Sequence, residues 1–502
     1  MDLAHTFTLG DIAREHRRSR PELIAILDGS TRLTYEQLDT RTSQVAAGLA
    51  AAGVRAGDRV LWLGQTSFQV LELLIGCAKA GAILCPANWR QSAEELRFVL
   101  SDLQPKVVVW EQVLETTTEL RADGTGIRWL QADGPEYDEW LAAQPAMDDE
   151  RYVEPESAVL ALYTAAFSGR PNAALLSHRA LTAHSVALGW IRQIEPGFTY
   201  LNSGPLFHVG TMMFCLAAFQ LGGTNVFMPA FDPVEACRLI EAERCTSAFL
   251  YGPMADQLAE ANADQKFDLS SLHVSPGSAA WNAMVSMDES PWGQALGGYG
   301  QTEVAGMLTF AGLGLGGLGS HGRPMPFAQV RIVDPEGLEV PAGEAGEIVA
   351  RGPALFTGYW NRPELNAAKF RGGWHHTGDL GRRERDGTIT FVGPKLRMIK
   401  SGGENIYPAE VEQALTRHVA VEQAAVIGVP DPKWGQAVKA VVVLRKTGAA
   451  SADELTEHVR NLIAPYKRPR EVVFTDALPR KGFLPDYDAL DAAYGGGGYP
   501  VV

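Results

Sequence analysis

The chain has 502 residues, 46% of them hydrophobic and 21% charged, and a formal net charge of −15. That length exceeds one ordinary core and implies two to four domains or subdomains. The acidity excludes the broad basic field that a nucleic-acid or anionic-membrane surface requires.

In chain order, residues 1–22 are polar and increasingly charged and lack the apolar core of a signal peptide, which predicts a cytoplasmic protein. Cys77, Cys85, Cys215, Cys237 and Cys245 form no C-x-x-C pair and read as reduced, buried thiols. Residues 32–110 alternate helical and strand patterns. LTYEQLDTRTSQVAAGLAAAG has helical spacing and stops at Gly53, RVLWLG is a short strand, and TSFQVLELLIGCAKAG is a helix ending near Gly81. AILCPAN and KVVVW are buried strands. The rhythm returns after residue 157 with AVLALYT, a helix from Ser177, TNVFMPA, EACRLIEAERC and TSAFLYG. Such alternation predicts layered α/β structure with parallel sheet.

Between Ser203 and Phe231 there is no Asp, Glu, Lys or Arg. Roughly 20 uncharged residues can span a bilayer. Here Pro205, His208, Gln220, Gly222, Gly223, Thr224 and Asn225 interrupt the run, so a buried helix followed by a strand is expected, with no transmembrane segment. From about 326, AQVRIVD, GEIVARG and TITFVG are short strands between Gly/Pro/Asp turns and predict a small antiparallel β unit. After Gly393 come a helix PAEVEQALTRH, strands QAAVIGV and AVKAVVVL, and a helix ADELTEHVRNLI. The expected fold class is therefore α/β. It has a large N-terminal domain over 1–393, made of layered α/β subdomains plus a small β-barrel-like unit at about 326–393. A small α+β C-terminal domain follows over 394–502, with a Gly-rich tail at 494–502 that is expected to be disordered.

Four stretches carry candidate chemistry. GYGQTEVAG (298–306) joins an aromatic, glycines that admit close backbone approach, a hydroxyl and a carboxylate. In WHHTGDLG (374–381), Asp379 sits in an expected loop, where it can accept hydrogen bonds from ribose hydroxyls. IKSGGENIYPAEVE (399–412) presents Gly402-Gly403, a carboxylate, and Pro408 opening a helix. YTAAFSGRPNAALLSH (163–178) has the outline of a phosphate-holding loop.

In this order these stretches resemble the acyl-adenylate-forming superfamily: acyl-CoA synthetases, adenylation domains of peptide synthetases, and luciferases. The resemblance runs from about Leu9 to about Arg480. WNRPE (360–364), GVPDPKWGQAVKAVVV (428–443) and APYKRPREVVF (464–474) look most like single-chain fatty-acid and aryl acid:CoA ligases. The resemblance implies ATP, Mg2+ and coenzyme A as cofactors, a small carboxylic acid as substrate, a mobile C-terminal domain and a homodimer. A carboxylate would attack the α-phosphate to give an acyl-adenylate and pyrophosphate, and a thiol would then displace AMP.

Carried onto this chain, Thr302 and Glu303 contact phosphate and magnesium, and Tyr299, between Gly298 and Gly300, stacks on adenine. Thr164, Ser168 and Gly169 belong to the phosphate loop, and Gly277 and Ser278 line the adenine and acyl side. Asp379 binds ribose. Phe207, His208, Met212 and Trp281 border the acyl pocket, with His208 as a gate, and Gly402, Gly403 and Glu404 shape the thiol tunnel.

The chain departs from the family pattern at three places. Against YTSGTTGRPKGVVLSH, Ala165 and Ala166 replace Ser-Gly, Phe167 replaces Thr, Asn172 replaces Lys and Ala173 replaces Gly. An Arg usual before the domain hinge is absent from Gly393-Pro394-Lys395-Leu396-Arg397. The C-terminal lysine position falls on Leu484 or Pro485, with Lys481 nearby. Three readings follow: a CoA ligase of fatty-acid type, an adenylating enzyme with a carrier-protein or amine acceptor, and a binding protein that keeps the fold and holds an acyl or nucleotide ligand. Thiol-dependent AMP release separates the first from the second, and Mg-ATP turnover separates both from the third.

Overall fold

The computed structural model describes residues 3–91, 93–112, 120–121, 126–164, 171–195, 197–250, 254–401, 404–463, 465–481, 484–497 and 499. The chain forms two compact units. The larger comprises residues 1–316, 321–329 and 351–370, and the smaller comprises 317–320, 330–350 and 371–502.

The larger unit is built on two sheets. One has seven strands in the order Gly358–Tyr359, Asn172–Ser177, Ala158–Thr164, Ile83–Pro86, Arg59–Leu63, Val107–Trp110 and Arg128–Gln131. Ile83–Pro86, Arg59–Leu63 and Val107–Trp110 are buried along their whole length, as apolar runs between helical layers should be. The other sheet orders Ser247–Ala248, Thr199–Asn202, Thr224–Phe227, Ile24–Asp28 and Thr31–Thr34. The expectation of parallel sheet needs correction at two edges. Ala158–Thr164 pairs antiparallel with Asn172–Ser177, which in turn pairs antiparallel with Gly358–Tyr359, and Ile24–Asp28 pairs antiparallel with Thr31–Thr34. For the two pairs adjacent in sequence the reason is connection length: a short link closes a hairpin, whereas a parallel pair needs a crossover of a dozen or more residues.

Phe68–Ala80 is buried on almost every residue, starts at the Ser67 cap and ends at Gly81 in the left-handed region at φ 74°. The uncharged stretch forms the buried helix Val209–Gln220 and the strand Thr224–Phe227, as expected. Among the described residues no helix is long and apolar enough to cross a membrane. All five cysteines are free and buried.

In the smaller unit, Gln329–Val333, Ala345–Arg351, Trp374–Arg383 and Phe370–Arg371 form a sheet in that order, with Ile389–Pro394 on Trp374–Arg383. The expected loop around Asp379 is thus a ten-residue strand. Its polar residues conceal the strand pattern because they are satisfied internally: Thr377 Oγ1 donates to Ile348 O at 2.7 Å, and His376 Nδ1 lies 3.1 Å from Glu347 Oε2. Beyond it, Val421–Asp431 and Gly435–Leu444 form a long hairpin beside the helices Pro408–Thr416 and Ala452–Leu462. The described part of the Gly-rich tail is fastened rather than disordered. Gly497 N donates to Gly428 O at 2.9 Å, Gln436 Nε2 donates to Gly497 O at 2.7 Å, and Tyr499 OH donates to Asp491 Oδ1 at 2.9 Å.

One carboxyl in this unit gives a pH prediction. Glu412 accepts from Val426 N at 2.8 Å and from Tyr487 OH at 2.7 Å, and burial pushes it from 4.5 up to about 7. A carboxyl kept neutral by the fold contributes stability that is complete below the unfolded value and is lost as pH rises through the folded one. Between about pH 5 and pH 8 that loss should be about 1–2 kcal/mol, below the full shift because the residue keeps some access to water. Urea unfolding across that range should show the decline, and Glu412→Gln, which keeps both acceptor contacts, should flatten it.

Candidate active site

The GYGQTEVAG stretch folds as a tight hairpin in which Gly300 and Gln301 pair with Met307 and Gly306. A Cβ on Gly298, at φ 149°, would meet Thr309 O at 1.9 Å, and one on Gly300 would meet Gly306 O at 2.1 Å. Only glycine fits at either position. The hairpin tip is a 3-10 turn, Thr302–Val304, closed by Ala305 in the left-handed region. The turn leaves Thr302 half-buried and turns Glu303 inward to 8% exposure. There Glu303 Oε1 accepts the Tyr359 phenol at 2.5 Å, and Glu303 O accepts Phe356 N at 2.8 Å. Burial, and then the Glu303 charge, hold the Tyr359 phenol well above its ordinary value, so it remains a donor. Tyr299 is buried, donates its N–H to Thr309 Oγ1 at 2.9 Å, and accepts Gln301 Nε2 at 3.1 Å. On the other arm, Met307 N donates to His184 Nε2 at 2.9 Å. Burial lowers that imidazole to about 4, so it is a neutral acceptor at pH 7.

Residues 165–170 lie outside the described residues, and with them the sequence candidates Ser168 and Gly169. The flanks are described. Thr164 pairs with Asn172, and Thr164 Oγ1 donates to Asn172 O at 3.2 Å. Arg362, just past the strand Gly358–Tyr359, donates from Nε to Asn172 Oδ1 at 2.9 Å and from Nη2 to Asp102 Oδ1 at 2.8 Å. The other oxygen of Asp102 accepts Tyr163 OH at 2.9 Å.

Of the acyl candidates, Phe207 lines a small cavity of about 10 Å³ with Trp62, Gln65, Val70, Trp89 and Leu206. That is room for about one water, so the cavity must widen before it admits a ring. His208 is the N-cap residue of Val209–Gln220, its ring 5.4 Å from that of Phe207. Burial first, then the Arg90 charge, lower its pKa, which keeps the imidazole neutral at pH 7. The other two acyl candidates do not line that cavity. Met212 packs in the main core with Cys215 and Phe219, and Trp281 packs in a separate cluster with Cys237 and Leu258. Gly277 and Ser278 are exposed, with Ser278 Oγ accepting Trp281 N at 3.2 Å.

In the smaller unit Asp379 is half-buried on its strand, opposite Pro394, and its N–H donates to Thr377 Oγ1 at 3.1 Å. Beside it Glu347 gathers Lys395 Nζ and Arg371 Nη2, each at 3.3 Å, as well as His376. Burial alone would raise the Glu347 carboxyl, but the His376 hydrogen bond and the Lys395 charge hold it below its usual range. Gly402 and Gly403 lie outside the described residues. The Glu404 backbone pairs with Ser401, and its side chain is not among those described.

Sequence reasoning missed Tyr359, Arg362 and Asp102. The only signal was WNRPE, which carries Arg362 and follows Tyr359 directly. Among the described residues no three His, Cys, Asp or Glu side chains gather into a metal site. Mg2+ needs no such cage, because it takes one or two carboxylates plus substrate phosphates and water. A single inward carboxylate at Glu303 with a hydroxyl beside it fits that donor set.

Comparison with known proteins agrees with this geometry. The family model for AMP-binding enzyme matches residues 13–360, and that for the AMP-binding enzyme C-terminal domain matches residues 410–482. A feruloyl-CoA synthase of Amycolatopsis sp is 39% identical over 482 residues, which cover 94% of this chain and 96% of that one. A long-chain-fatty-acid–CoA ligase of Mycobacterium tuberculosis is 31% identical over 490 residues, covering 94% and 95%. The crystal structure of ATP-bound MatB from Rhodopseudomonas palustris superposes with a TM-score of 0.84 over 97% of this chain and 99% of that one, at 27% identity.

Proposed function

The chain belongs to the AMP-binding enzyme family and is an AMP-forming acid–CoA ligase that uses ATP, Mg2+ and coenzyme A; from that premise we propose that its acid carries a planar aromatic tail, of the aryl-propenoic kind. The observation that carries this reading is the aromatic lining of a small cavity, Trp62, Trp89 and Phe207 beside His208, which would widen around a ring. The feruloyl-CoA synthase similarity, over nearly the whole of both chains, supports it. Flat aromatic walls favour a flat ring by offset stacking and apolar burial.

In this proposal Glu303 and Thr302 hold magnesium and phosphate oxygens, and Tyr359 orients Glu303. Bound magnesium would neutralise charge on the phosphates as the carboxylate attacks. Tyr299, between Gly298 and Gly300, stacks on adenine. Gly277 and Ser278 line that side, and Thr164 with Ser168 and Gly169 holds phosphate. Asp379 accepts from ribose, and Gly402, Gly403 and Glu404 form the thiol tunnel. Phe207 and His208 border the acyl group, with neutral His208 as a gate. Residues 1–393 act as the ligand-binding domain and 394–502 as a lid. A cytoplasmic homodimer engaged in fatty-acid or related acid metabolism completes the proposal, and light scattering tests the dimer.

A second reading, a fatty acid as substrate, is favoured by the uncharged, buried helix Val209–Gln220 and the mycobacterial similarity. Mass spectrometry of purified protein with Mg-ATP, coenzyme A and a panel of acids decides between them, with acyl-CoA and AMP scored together. Ferulate or coumarate should exceed hexanoate and palmitate in kcat/KM by about tenfold or more, the scale of discrimination that an apolar pocket provides. Preference for palmitate would overturn the aromatic reading. AMP release without thiol dependence would point to another acceptor, and neither product to a binding protein.

A further inference from the structure

We propose that Arg362 and Asp102 are a positioning pair that fixes both ends of segment 165–170, so that ATP use depends on a guanidinium outside that segment. The inference rests on reading the segment as the phosphate loop. One carboxylate gathers the last strand residue but one before it and, through Arg362, the second residue after it. Asp102 accepts Tyr163 OH at 2.9 Å and Arg362 Nη2 at 2.8 Å, while Arg362 Nε holds Asn172 Oδ1 at 2.9 Å. The Trp360 indole donates to Asp102 O at 2.9 Å, and the Arg59 guanidinium lies 4.4 Å from the centre of its ring. The Arg362 and Asp102 side chains keep 26% and 10% of their exposure, so the pair is partly shielded from water.

Asn172 occupies the position where the family pattern has lysine. Asparagine offers an acceptor where lysine would offer a charge, and Arg362 uses that acceptor. A guanidinium fork holds two acceptors at a fixed angle, which an ammonium cannot do. Because Asp102 neutralises Arg362, the pair acts through geometry and does not replace the absent charge. Tyr359, three residues before Arg362, holds Glu303, and a turn at Trp360 and Asn361, with Asn361 at φ 50°, joins the two. The edge strand and the turn that follows it therefore set the spacing between the magnesium carboxylate and the ends of the loop, and small misplacements of that kind cost large factors in rate.

The test compares Arg362→Ala, Arg362→Lys, Asn172→Ala and the Arg362→Ala/Asn172→Ala double variant. Each is checked by circular dichroism and thermal melting, then measured for MgATP affinity by calorimetry and for separate KM values toward MgATP and coenzyme A. Arg362→Ala should weaken MgATP binding and raise its KM by about tenfold or more, with the KM for coenzyme A within about twofold. Arg362→Lys should recover only part of this, Asn172→Ala should cost less, and the double variant should be no worse than Arg362→Ala. Wild-type MgATP affinity in a folded Arg362→Ala protein would overturn the proposal, as would equal losses toward both ligands. Should Arg362→Ala fail to fold, unchanged MgATP affinity in both Arg362→Lys and Asn172→Ala would overturn it. Wild-type protein that binds MgATP but makes no acyl-CoA would overturn the functional reading alone, and the variants' MgATP affinities would still decide this one.

Discussion

Glu303→Gln should reduce acyl-CoA and AMP formation at least about a hundredfold while leaving the melting temperature within about two degrees of wild type. Position 303 is buried, and its carboxylate faces the Tyr359 phenol. A glutamine oxygen still accepts that phenol, so the local structure keeps its hydrogen bond and only the charge is lost. The removed charge is the one proposed to hold the metal against the phosphates, and contacts of that kind contribute roughly 3–4 kcal/mol in a site closed to water. Glu303→Ala is the poorer test, because it leaves a buried phenol without an acceptor and adds about 1–3 kcal/mol of destabilisation. Tyr359→Phe separates positioning from charge, with a loss near tenfold and an increase in the magnesium concentration needed for half-maximal rate. More than a tenth of wild-type activity in Glu303→Gln would remove Glu303 from the chemistry.

Much of this site was legible in the sequence because its motifs are local. Gly298, Gly300, Thr302 and Glu303 lie within six residues, and the clashes that a Cβ would meet at Gly298 and Gly300 explain why those glycines are needed. The element order was legible for the same reason: apolar periodicity marked Phe68–Ala80 and Val209–Gln220, and Ser177 and Gly81 marked helix ends. What the sequence hid was long-range satisfaction. Arg362 and Asp102 are 260 positions apart, and Tyr359 and Glu303 are 56 apart. No local pattern announces such a pair. The strand carrying Asp379 was hidden because His376 and Thr377 are polar, and only the packed sheet supplies their partners.

The substituted loop illustrates the same limit. Read alone, Asn172 for lysine looks like a lost function. In the fold it is an acceptor for an arginine that a separate strand delivers. Family membership and ligase activity are therefore compatible with the altered loop, and a single aligned position says little until its partners are known.

Lys79→Ala should destabilise the larger unit by about 3–5 kcal/mol, the largest stability effect expected of any single charge in it. The Lys79 side chain is 1% exposed, and its ammonium contacts Asp39 Oδ1 at 2.5 Å, Ser43 Oγ at 2.8 Å and Asp148 Oδ2 at 3.0 Å. Arg14 reaches the same Asp148 at 2.8 and 2.9 Å. The cluster thus joins the helices Leu9–Ser19, Tyr35–Ala51 and Phe68–Ala80 through charges largely shielded from water. Removing the lysine leaves Asp39, itself 2% exposed, as a buried carboxylate with one distant arginine partner at 3.4 Å. The penalty arises from that stranded charge, so Lys79→Met with Asp39→Leu should recover much of the stability that Lys79→Ala loses. The same cluster sets the response to acid. Burial alone would raise the Asp148 carboxyl, but Arg14 and Lys79 outweigh it and hold the group well below its ordinary 3.8. A depressed carboxyl contributes stability that is present above its unfolded value and is lost as pH falls toward the folded one. The gap between wild type and Lys79→Ala in urea should therefore narrow as pH drops from about 6 to about 3. A gap that stays constant would assign the loss to packing around the lysine stem, and a gap below about 1 kcal/mol at neutral pH would mean that water reaches the cluster after all.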